Sequence, residues 1–507
     1  MKEKTQFWNS ILNKITDIYI FMIIVLFPLL VDKTGFLRIF EYKYKCFLCI
    51  SSIYLISSTL IIIYNLIRKR NIFKNKKVGK MQILALMFLL LNIISYFMSP
   101  YLKVHDLFIG VGRKEGLLTS SLYILSFLYV SYFGEFKKKY ILYFSISSIL
   151  INVVAILQFV GFNPFNMYQN GIGTHNVSFM ATIGNIDFIS AIYTILLTVS
   201  FTSYIFLKNN KYEKIIHLLS VFFGGFIFQI IDVSSGKLAF GVILILILPF
   251  IFATNERLSN FLKLIGMVLL STAINIFMNI EYHYDIGKLG FYFKVDYILI
   301  LLLIIVIILL ILSRYLKNLK YDVSKNKKII KYYYLLLGIG LIFGVILLYF
   351  IPFKSGFLYE IHELLHFNFD DDFGTYRIFL WKRTLPLIKD YPLFGSGPDT
   401  FVLRFMPLYS EDIASIGPFS INDTAANIYL TMLINLGFSG TICYIVFLVY
   451  GVYIGIRKIN KYIFVLLSAV ICYMVQSFFN LSVVIVSPIF WVLLGVYYLC
   501  IYDKKKE

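Results

Sequence analysis

The chain has 507 residues, of which 59% are hydrophobic and 15% are charged, and its formal net charge is +20. A soluble protein of this length carries about 25% charged residues, so the composition argues against a soluble globular fold. In a soluble protein such a positive charge would indicate nucleic-acid binding. Here the basic residues lie mainly in short linkers between apolar runs, and we expect no nucleic-acid partner.

Apolar runs long enough to cross a bilayer as helices, which takes about 20 residues, recur from end to end. Only helices and closed barrels satisfy their backbone hydrogen bonds in lipid. The sequence therefore predicts an all-α polytopic integral membrane protein with about 14 transmembrane helices. The predicted spans are 15–31, 46–67, 81–98, 116–134, 140–161, 186–207, 215–232, 237–253, 262–280, 297–312, 331–351, 437–456, 462–480 and 485–502.

Alternate linkers of this chain are rich in Lys and Arg. Cytoplasmic loops carry an excess of these residues, so we expect the basic linkers to lie in the cytoplasm. The protein would then cross a bacterial plasma membrane with both termini on the cytoplasmic side. The basic segments are 68–80, 135–139, 208–214, 313–331, 457–461 and the tail 504–506.

The opposite, outer face carries longer linkers, and one of them is much longer than the rest. It runs over about 352–424, and short helices are expected within it at 357–367 and 377–390. Long loops are uncommon in compact proteins unless they are functional or disordered. We expect three parts: transmembrane helices 1–11 in 1–351, the large outer loop in 352–424, and transmembrane helices 12–14 in 425–507.

Polar clusters collect on the predicted outer face, and three of them contain a cation. Arg113, Lys237 and Arg377 run against the inside bias of positive charge, so another reason for their position is needed. An anionic ligand at the outer leaflet is such a reason, because the planar guanidinium donates two parallel hydrogen bonds to a phosphate. The alternative for each cluster alone is structural, such as a snorkelling side chain or a helix cap.

Four of these segments carry a resemblance to a known family. "YRIFLWKRTLPLIKDYPLFGSGPDTF" (376–401) resembles an Arg-x-x-x-Trp stretch followed by Asp-x-Pro-x-x-Gly-x-Gly in the large outer loop of the O-antigen ligase and O-antigen polymerase family. "DTAANIYLTMLINLGFSG" (423–440) resembles the family's Asp-x-Ala-His-Asn-x-Tyr-Leu motif and the Leu-Gly-x-x-Gly turn after it. "GRKEGLLT" (112–119) and "GNIDF" (184–188) resemble two further elements of these bacterial envelope enzymes.

The resemblance implies glycosyl transfer at the outer leaflet, from a glycan carried on undecaprenyl pyrophosphate to an acceptor hydroxyl, without metal or other cofactor. The acceptor would be lipid A core for a ligase or another lipid-linked repeat for a polymerase. Heavy use of Ile, Lys, Asn, Phe and Tyr suggests an AT-rich genome, which is compatible with a Gram-positive source. Such bacteria have no lipid A, so a polymerase or a related surface-glycan transferase is favoured. The implied catalytic residues are Asp423, Asn427 and Glu115; the implied pyrophosphate ligands are Arg113, Arg377 and Lys237; the implied supporting residues are Asn185, Trp381 and Tyr429.

One departure from the family pattern concerns the expected general base. The His of the family motif aligns with Ala426, and alanine cannot accept a proton. Three interpretations are open: another base such as Asp423 acts instead, the activity is lost or altered in this lineage, or the alanine is a deliberate change. Catalytic competence therefore depends on what surrounds Ala426.

Two alternative functions belong to other classes. His362-Glu363-Leu-Leu-His366 is a literal HExxH, the zinc motif of metalloproteases, but no clear third ligand follows at a recognised spacing, and an amphipathic helix at the membrane surface is the favoured explanation. A flippase for lipid-linked glycans would also need many spans and cationic contacts. Transporters place charges along a path inside the spans, and such charges are nearly absent here, which favours an enzyme.

Overall fold

The computed structural model describes residues 2–70, 78–167, 181–282, 289–318, 327–351, 356–368, 371, 373–416 and 423–502. Across these ranges the chain forms helices and no strand. The α-helices are α1 (Lys2–Phe21), α2 (Ile39–Ile67), α3 (Lys80–Met98), α4 (Leu117–Phe133), α5 (Lys139–Phe159), α6 (Ile186–Phe206), α7 (Lys211–Ile231), α8 (Ser234–Ile251), α9 (Asn255–Tyr282), α10 (Leu289–Lys317), α11 (Lys327–Phe350), α12 (Gly356–Leu365), α13 (Phe373–Thr384), α14 (Phe401–Ile416), α15 (Ile428–Arg457), α16 (Lys461–Gln476) and α17 (Ser487–Ile501).

Twelve helices in the described ranges are long and apolar enough to cross a membrane. Two shorter apolar helices, α4 and α17, lie at the predicted spans 116–134 and 485–502. The prediction of an all-α polytopic membrane protein is confirmed. Within the large loop, α12 and α13 lie at the positions of the two expected short helices.

Helix α14 was not expected from the sequence. Its second turn contains Pro407, and the backbone is non-helical at Tyr409, so the apolar pattern is interrupted. The helix forms because Phe401 and Phe405 are buried in a small core of the loop with Phe379 of α13. This core fixes the part of the loop that precedes α15.

Helices α6 and α17 form the centre of the bundle. The whole apolar window of α6 is buried, and α6 packs against α5, α7, α8, α9 and α16. Every residue of α17 is buried, and this helix packs mainly against α4 and α16. A helix that is apolar all round, as α17 is, is expected to be enclosed by its neighbours. Both helices have an end at the polar site described below.

Helix α15 is broken at Gly437, whose backbone is left-handed (φ +65°). A segment of the large loop, residues 392–397, lies in the break and is called the inserted segment below. Non-helical backbone at membrane depth is tolerated only where protein or water satisfies its polar groups. Four hydrogen bonds do so here: Ser396 N to Ile434 O (3.0 Å), Gly397 N to Asn435 O (2.9 Å), Phe438 N to Pro392 O (2.7 Å) and Ser439 N to Leu393 O (3.0 Å).

The two backbones approach so closely that glycine is required on both sides. A Cβ at Gly437 would lie 2.5 Å from Gly395 N and from the Leu393 carbonyl, and a Cβ at Gly395 would lie 2.4 Å from the Asn435 carbonyl. Both glycines also have positive φ, which is costly for residues with a Cβ. The Gly-x-Gly and Leu-Gly-x-x-Gly motifs of the sequence are therefore the two halves of one contact.

We expect Gly437→Ala to destabilise the protein strongly. The backbone strain alone costs about 1–3 kcal/mol, and the inserted segment must also move away from the break. The measurement is the apparent unfolding midpoint in detergent, read as the fraction of protein that stays monodisperse after heating. Gly338→Ala is the matched control, since a Cβ there meets nothing within 4 Å. Equal midpoints for the two variants would contradict this account of the break.

Candidate functional site

The loop before α4 is held by one carboxylate from the large loop that precedes α15. Asp399 follows the inserted segment and accepts the backbone amides of Gly112, Arg113 and Glu115 at 2.9, 3.3 and 3.3 Å. A Cβ at Gly110 would lie 2.4 Å from the same carboxylate. Burial raises the pKa of Asp399 to about 6, although the three amide donors oppose that shift. Asp399 thereby fixes where this loop presents its side chains.

Glu115 is the titratable group at the inner end of that loop. Its Oε1 accepts the Tyr123 hydroxyl at 2.7 Å and its Oε2 accepts the Ser482 hydroxyl at 2.9 Å. Burial among these residues raises the pKa of Glu115 to about 7, and the nearby Asp399 adds to this rise. A carboxylate with a pKa near neutrality can both take up and release a proton at physiological pH.

Arg113 points from the same loop towards the start of α15. Its Nε lies 2.8 Å from the Asp423 carboxylate, and the two side chains are 26% and 16% exposed. The guanidinium carbon lies 5.8 Å from the centre of the Phe188 ring. A guanidinium has five N–H donors, and the bond from Nε leaves the four on its two terminal nitrogens. These remaining donors suit an oxyanion ligand.

Arg377 of α13 reaches the same region through Asp187 of α6. The Asp187 carboxylate interacts electrostatically with both Arg377 and Arg113. Arg377 Nε donates to the Phe479 carbonyl at 3.2 Å. Burial lowers the pKa of Arg377, and Asp187 opposes this shift. The structure thus brings two of the three predicted pyrophosphate ligands within electrostatic range of one carboxylate.

The third predicted pyrophosphate ligand, Lys237, has a local partner. Its ammonium forms an ion pair with Asp232 in the turn between α7 and α8, and both side chains are largely exposed. The short spacing of the two residues explains this pairing. The structure therefore gives Lys237 a different neighbour from Arg113 and Arg377.

Four other predicted residues hold the backbone around the site. Asn185 caps α6 by accepting the Asp187 amide at 2.8 Å, and Asn427 caps α15 by accepting the Leu430 amide at 3.0 Å. The remaining contacts come from side-chain donors: Trp381 Nε1 to the Ala425 carbonyl (2.9 Å) and the Tyr429 hydroxyl to the Met474 carbonyl (3.0 Å). Capping and bracing of this kind position the segment that carries Asp423.

Ala426 lies in that braced segment, between Asp423 and the cap of α15. Its backbone is left-handed (φ +48°), and its amide donates to the Thr424 hydroxyl at 3.3 Å. Its side chain packs at the edge of the small loop core. His, Asn and Asp are enriched among non-glycine residues with this backbone conformation. The backbone conformation at position 426 is therefore one that a His can adopt.

The HExxH motif lies on α12, away from the contacts described above. The His362 and His366 rings are 4.2 Å apart, and the His366 ring stacks on Tyr349 at 4.3 Å. Glu363 Oε1 lies 3.0 Å from His362 Nδ1. Across the described parts of the chain, no group of three His, Cys, Asp or Glu side chains is arranged to hold a metal ion. Asp370 and Asp372, two acidic residues that follow the motif in the sequence, lie outside the described residues.

The site opens into a cavity that enters the helix bundle. Its volume is about 850 Å³, including space open to solvent. Arg113, Glu115, Asp399 and Thr424 line one part of it. Helices α3, α4, α15, α16 and α17 supply the rest of the wall. The arrangement combines a charged, proton-accepting head with a deep chamber between helices.

Sequence reasoning missed Asp399, Tyr123 and Ser482. Asp399 stands inside the quoted 376–401 segment, directly after Gly397-Pro398, so its position in a turn-rich motif was a usable signal. Tyr123 follows Glu115 by about two helical turns, a spacing that places two residues of one helix on the same face. Glu115 lies before the start of α4, so this rule did not apply to the pair. Ser482 has no comparable signal in the sequence.

Comparison with known proteins gives one family. Residues 296–445 match the family model described as O-antigen ligase, which confirms the resemblance. The match includes Arg377, Asp399 and Asp423, whereas Arg113 and Glu115 lie before it. A search of curated proteins gives no significant match to the chain.

We expect Asp399→Asn to release the loop before α4. The neutral amide removes the charge from all three bonds and leaves one accepting oxygen instead of two; a bond to a charged group is worth about 1.5–3 kcal/mol and a neutral one about 0.5–1.5 kcal/mol. Hydrogen exchange of the Gly112, Arg113 and Glu115 amides should therefore accelerate by at least about tenfold. Asp232→Asn, which changes an exposed carboxylate between α7 and α8, is the matched control. Unchanged exchange at these three amides would show that Asp399 does not anchor the loop.

Proposed function

We propose that this chain, which belongs to the O-antigen ligase family, transfers a glycan from undecaprenyl pyrophosphate to an acceptor hydroxyl at the outer leaflet. The observation that carries the proposal is the cluster of Arg113, Glu115, Asp399 and Asp423 at the head of an intramembrane cavity. The family supports a role in envelope polysaccharide ligation. The loop charges support a plasma-membrane location with both termini inside and the site outside.

Arg113 is the proposed ligand of the pyrophosphate. Asp423 holds its Nε at 2.8 Å and so orients the guanidinium, while the terminal nitrogens remain available for phosphate oxygens. Arg377 adds a second positive charge near Asp187. When the sugar leaves the pyrophosphate, negative charge builds up on the bridging oxygen, and fixed cations in a partly buried site stabilise that charge.

Glu115 is the proposed general base. The sequence suggested Asp423 for this role in place of the missing His, but Asp423 is paired with Arg113. Glu115 instead faces the cavity, has hydroxyl partners on both oxygens and has its pKa raised to about 7. A base is most effective when its pKa lies near the working pH.

In the proposed step, the acceptor oxygen attacks the anomeric carbon of the donor sugar. The bond from that carbon to the pyrophosphate oxygen breaks, and undecaprenyl pyrophosphate leaves as the anion. Glu115 takes the proton of the acceptor hydroxyl and becomes neutral. No electron donor or nucleotide enters the balance, and the same step serves a lipid A core acceptor or a growing glycan.

We expect the pH dependence to identify Glu115. The wild-type kcat/KM should rise as the pH increases through about 7, because the deprotonated carboxylate is the reactive form. Glu115→Gln should lower kcat by about 10²–10⁴-fold and abolish this rise. The assay is extension of a fluorescent lipid-linked oligosaccharide by protein in nanodiscs.

Glu411→Gln is the control for that experiment, since Glu411 is an exposed carboxylate on α14. It should keep both the rate and the pH profile. A Glu115→Gln variant with wild-type turnover and profile would rule out Glu115 as the base.

Ala426→His tests whether the chain lacks a base. A general base contributes about 10²–10⁴-fold, so a chain without one should gain that factor from the new imidazole. Because Glu115 is the proposed base, we expect both forms to extend the glycan, with a gain below about tenfold for Ala426→His. Extension by the His form alone would assign the missing base to position 426, and extension by neither would contradict the transferase proposal.

A further inference from the structure

The deep part of the cavity contains three polar groups that lie next to each other. Tyr444 of α15 and Trp491 of α17 both pack against Phe88 of α3, with ring centres 5.3 and 6.3 Å from it. The Tyr444 and Trp491 rings are themselves 6.2 Å apart. Asn92, one turn from Phe88, donates its side-chain amide to the Phe88 carbonyl at 2.8 Å. The three side chains therefore form one compact patch of the cavity wall.

Each of these side chains keeps a hydrogen-bonding group without a partner among the described residues. These groups are the Asn92 Oδ1, the Tyr444 hydroxyl and the Trp491 Nε1–H. The three residues are only 2%, 6% and 6% exposed, yet all line the cavity. Their polar atoms therefore face the cavity, and a ligand that replaces water there must supply hydrogen bonds of its own, because a buried polar group left unpaired costs free energy. Tyr123 and Ser482, which line the same cavity, are both bonded to Glu115.

The patch lies below the charged head of the site. Asn92 is within the last two turns of α3, Trp491 is within the first two turns of α17, and Tyr444 follows the break in α15 by about two turns. The patch offers three uncharged hydrogen-bonding groups. The Asn92 Oδ1 accepts, the Trp491 Nε1–H donates, and the Tyr444 hydroxyl can do either. These groups are matched by a ligand that is neutral, rich in hydroxyls and partly apolar on its faces.

A polyprenyl chain fits this patch poorly. It has no hydrogen-bonding group, so its binding would leave all three polar groups unpaired and desolvated. A pyrophosphate fits poorly too, because its charges find their counterparts at Arg113, beyond the patch. A sugar ring satisfies both conditions, since its hydroxyls donate and accept and its C–H faces pack against Phe88.

We propose that Asn92, Tyr444 and Trp491 form a binding site for one neutral sugar ring of the glycan substrate. The proposal rests on the function proposed above and adds which part of the substrate enters the bundle. The ring is either the one bonded to the pyrophosphate or the one that carries the acceptor hydroxyl. Specificity for the sugar then resides in three side chains from three different helices.

The test compares lipid ligands with and without a sugar. Binding of undecaprenyl pyrophosphate, and of undecaprenyl pyrophosphate linked to glucose, galactose or N-acetylglucosamine, is measured by native mass spectrometry. Tyr444→Phe removes one oxygen and little else. It should weaken binding of the best sugar-bearing lipid by about three- to tenfold and leave undecaprenyl pyrophosphate unchanged within about twofold. Asn92→Ala and Trp491→Phe should shift binding in the same direction.

Tyr453→Phe is the matched control, because Tyr453 lies on the same helix and is 51% exposed. A methyl glycoside of the same sugar, tested as free ligand, distinguishes the two rings: selective weakening there assigns the site to the acceptor. If Tyr444→Phe weakens no ligand, the patch is only hydrated, and the proposal is wrong. Tighter binding of the sugar-free lipid would instead place the polyprenyl chain in the cavity.

Failure of the proposed function has a different signature. A wild-type chain that binds none of the four polyprenyl pyrophosphates would contradict the transferase proposal, and the sugar site with it. A wild-type chain that binds them all, with Tyr444→Phe unchanged, would contradict the sugar site alone.

Discussion

Peptide groups inside a bilayer must find hydrogen-bond partners within the protein, and the break in α15 shows what this requirement organises. At Gly437 the regular hydrogen bonds of the helix are interrupted, and residues 392–397 of the large loop supply the missing donors and acceptors. This contact pins an otherwise long loop at one point of the bundle. Asp399 follows immediately and is carried to the loop before α4. The positions of Arg113 and Glu115 therefore depend on a break in a helix distant in sequence.

The carboxylates at the head of the cavity are chemically similar but have different hydrogen-bond and ionic partners. Of the carboxylates around Arg113, three line or adjoin the cavity head, and each has a different environment. Asp423 is ion-paired, Asp399 accepts backbone amides, and Glu115 accepts the hydroxyls of Tyr123 and Ser482. A hydroxyl donor stabilises the charged form of a carboxylate less than a neighbouring cation does. The pKa of Glu115 is therefore free to rise with burial, and it reaches about 7. Environment, and not residue type, separates the carboxylate paired with Arg113 from the one that holds the loop and from the proposed base.

The sequence was informative wherever the bilayer or the local backbone imposes a simple rule. Apolar runs located the spans because lipid excludes polar segments, and Gly437 was visible as part of a turn motif before its contact was known. Pairings across the chain were not accessible in the same way. Asp399 and Gly112 are 287 residues apart, and Arg113 and Asp423 are 310 apart, so nothing local signals either contact. An Asp that accepts loop amides also looks like an Asp that caps a helix. For Lys237 a contact close in sequence was overlooked. The charge pattern suggested an anionic ligand for this residue, but its ammonium pairs with Asp232, five residues before it.

The meeting of Gly395 and Gly437 has a consequence for how the chain can evolve. In most contacts a change on one side can be compensated by a smaller residue on the other, and such pairs leave a record of correlated substitution. Here both partners already have the smallest side chain, and each would collide with main-chain atoms that no mutation removes. Neither position can compensate for the other. Among related sequences this contact should appear as two fixed columns with no covariation, so methods that infer contacts from correlated change would not detect it.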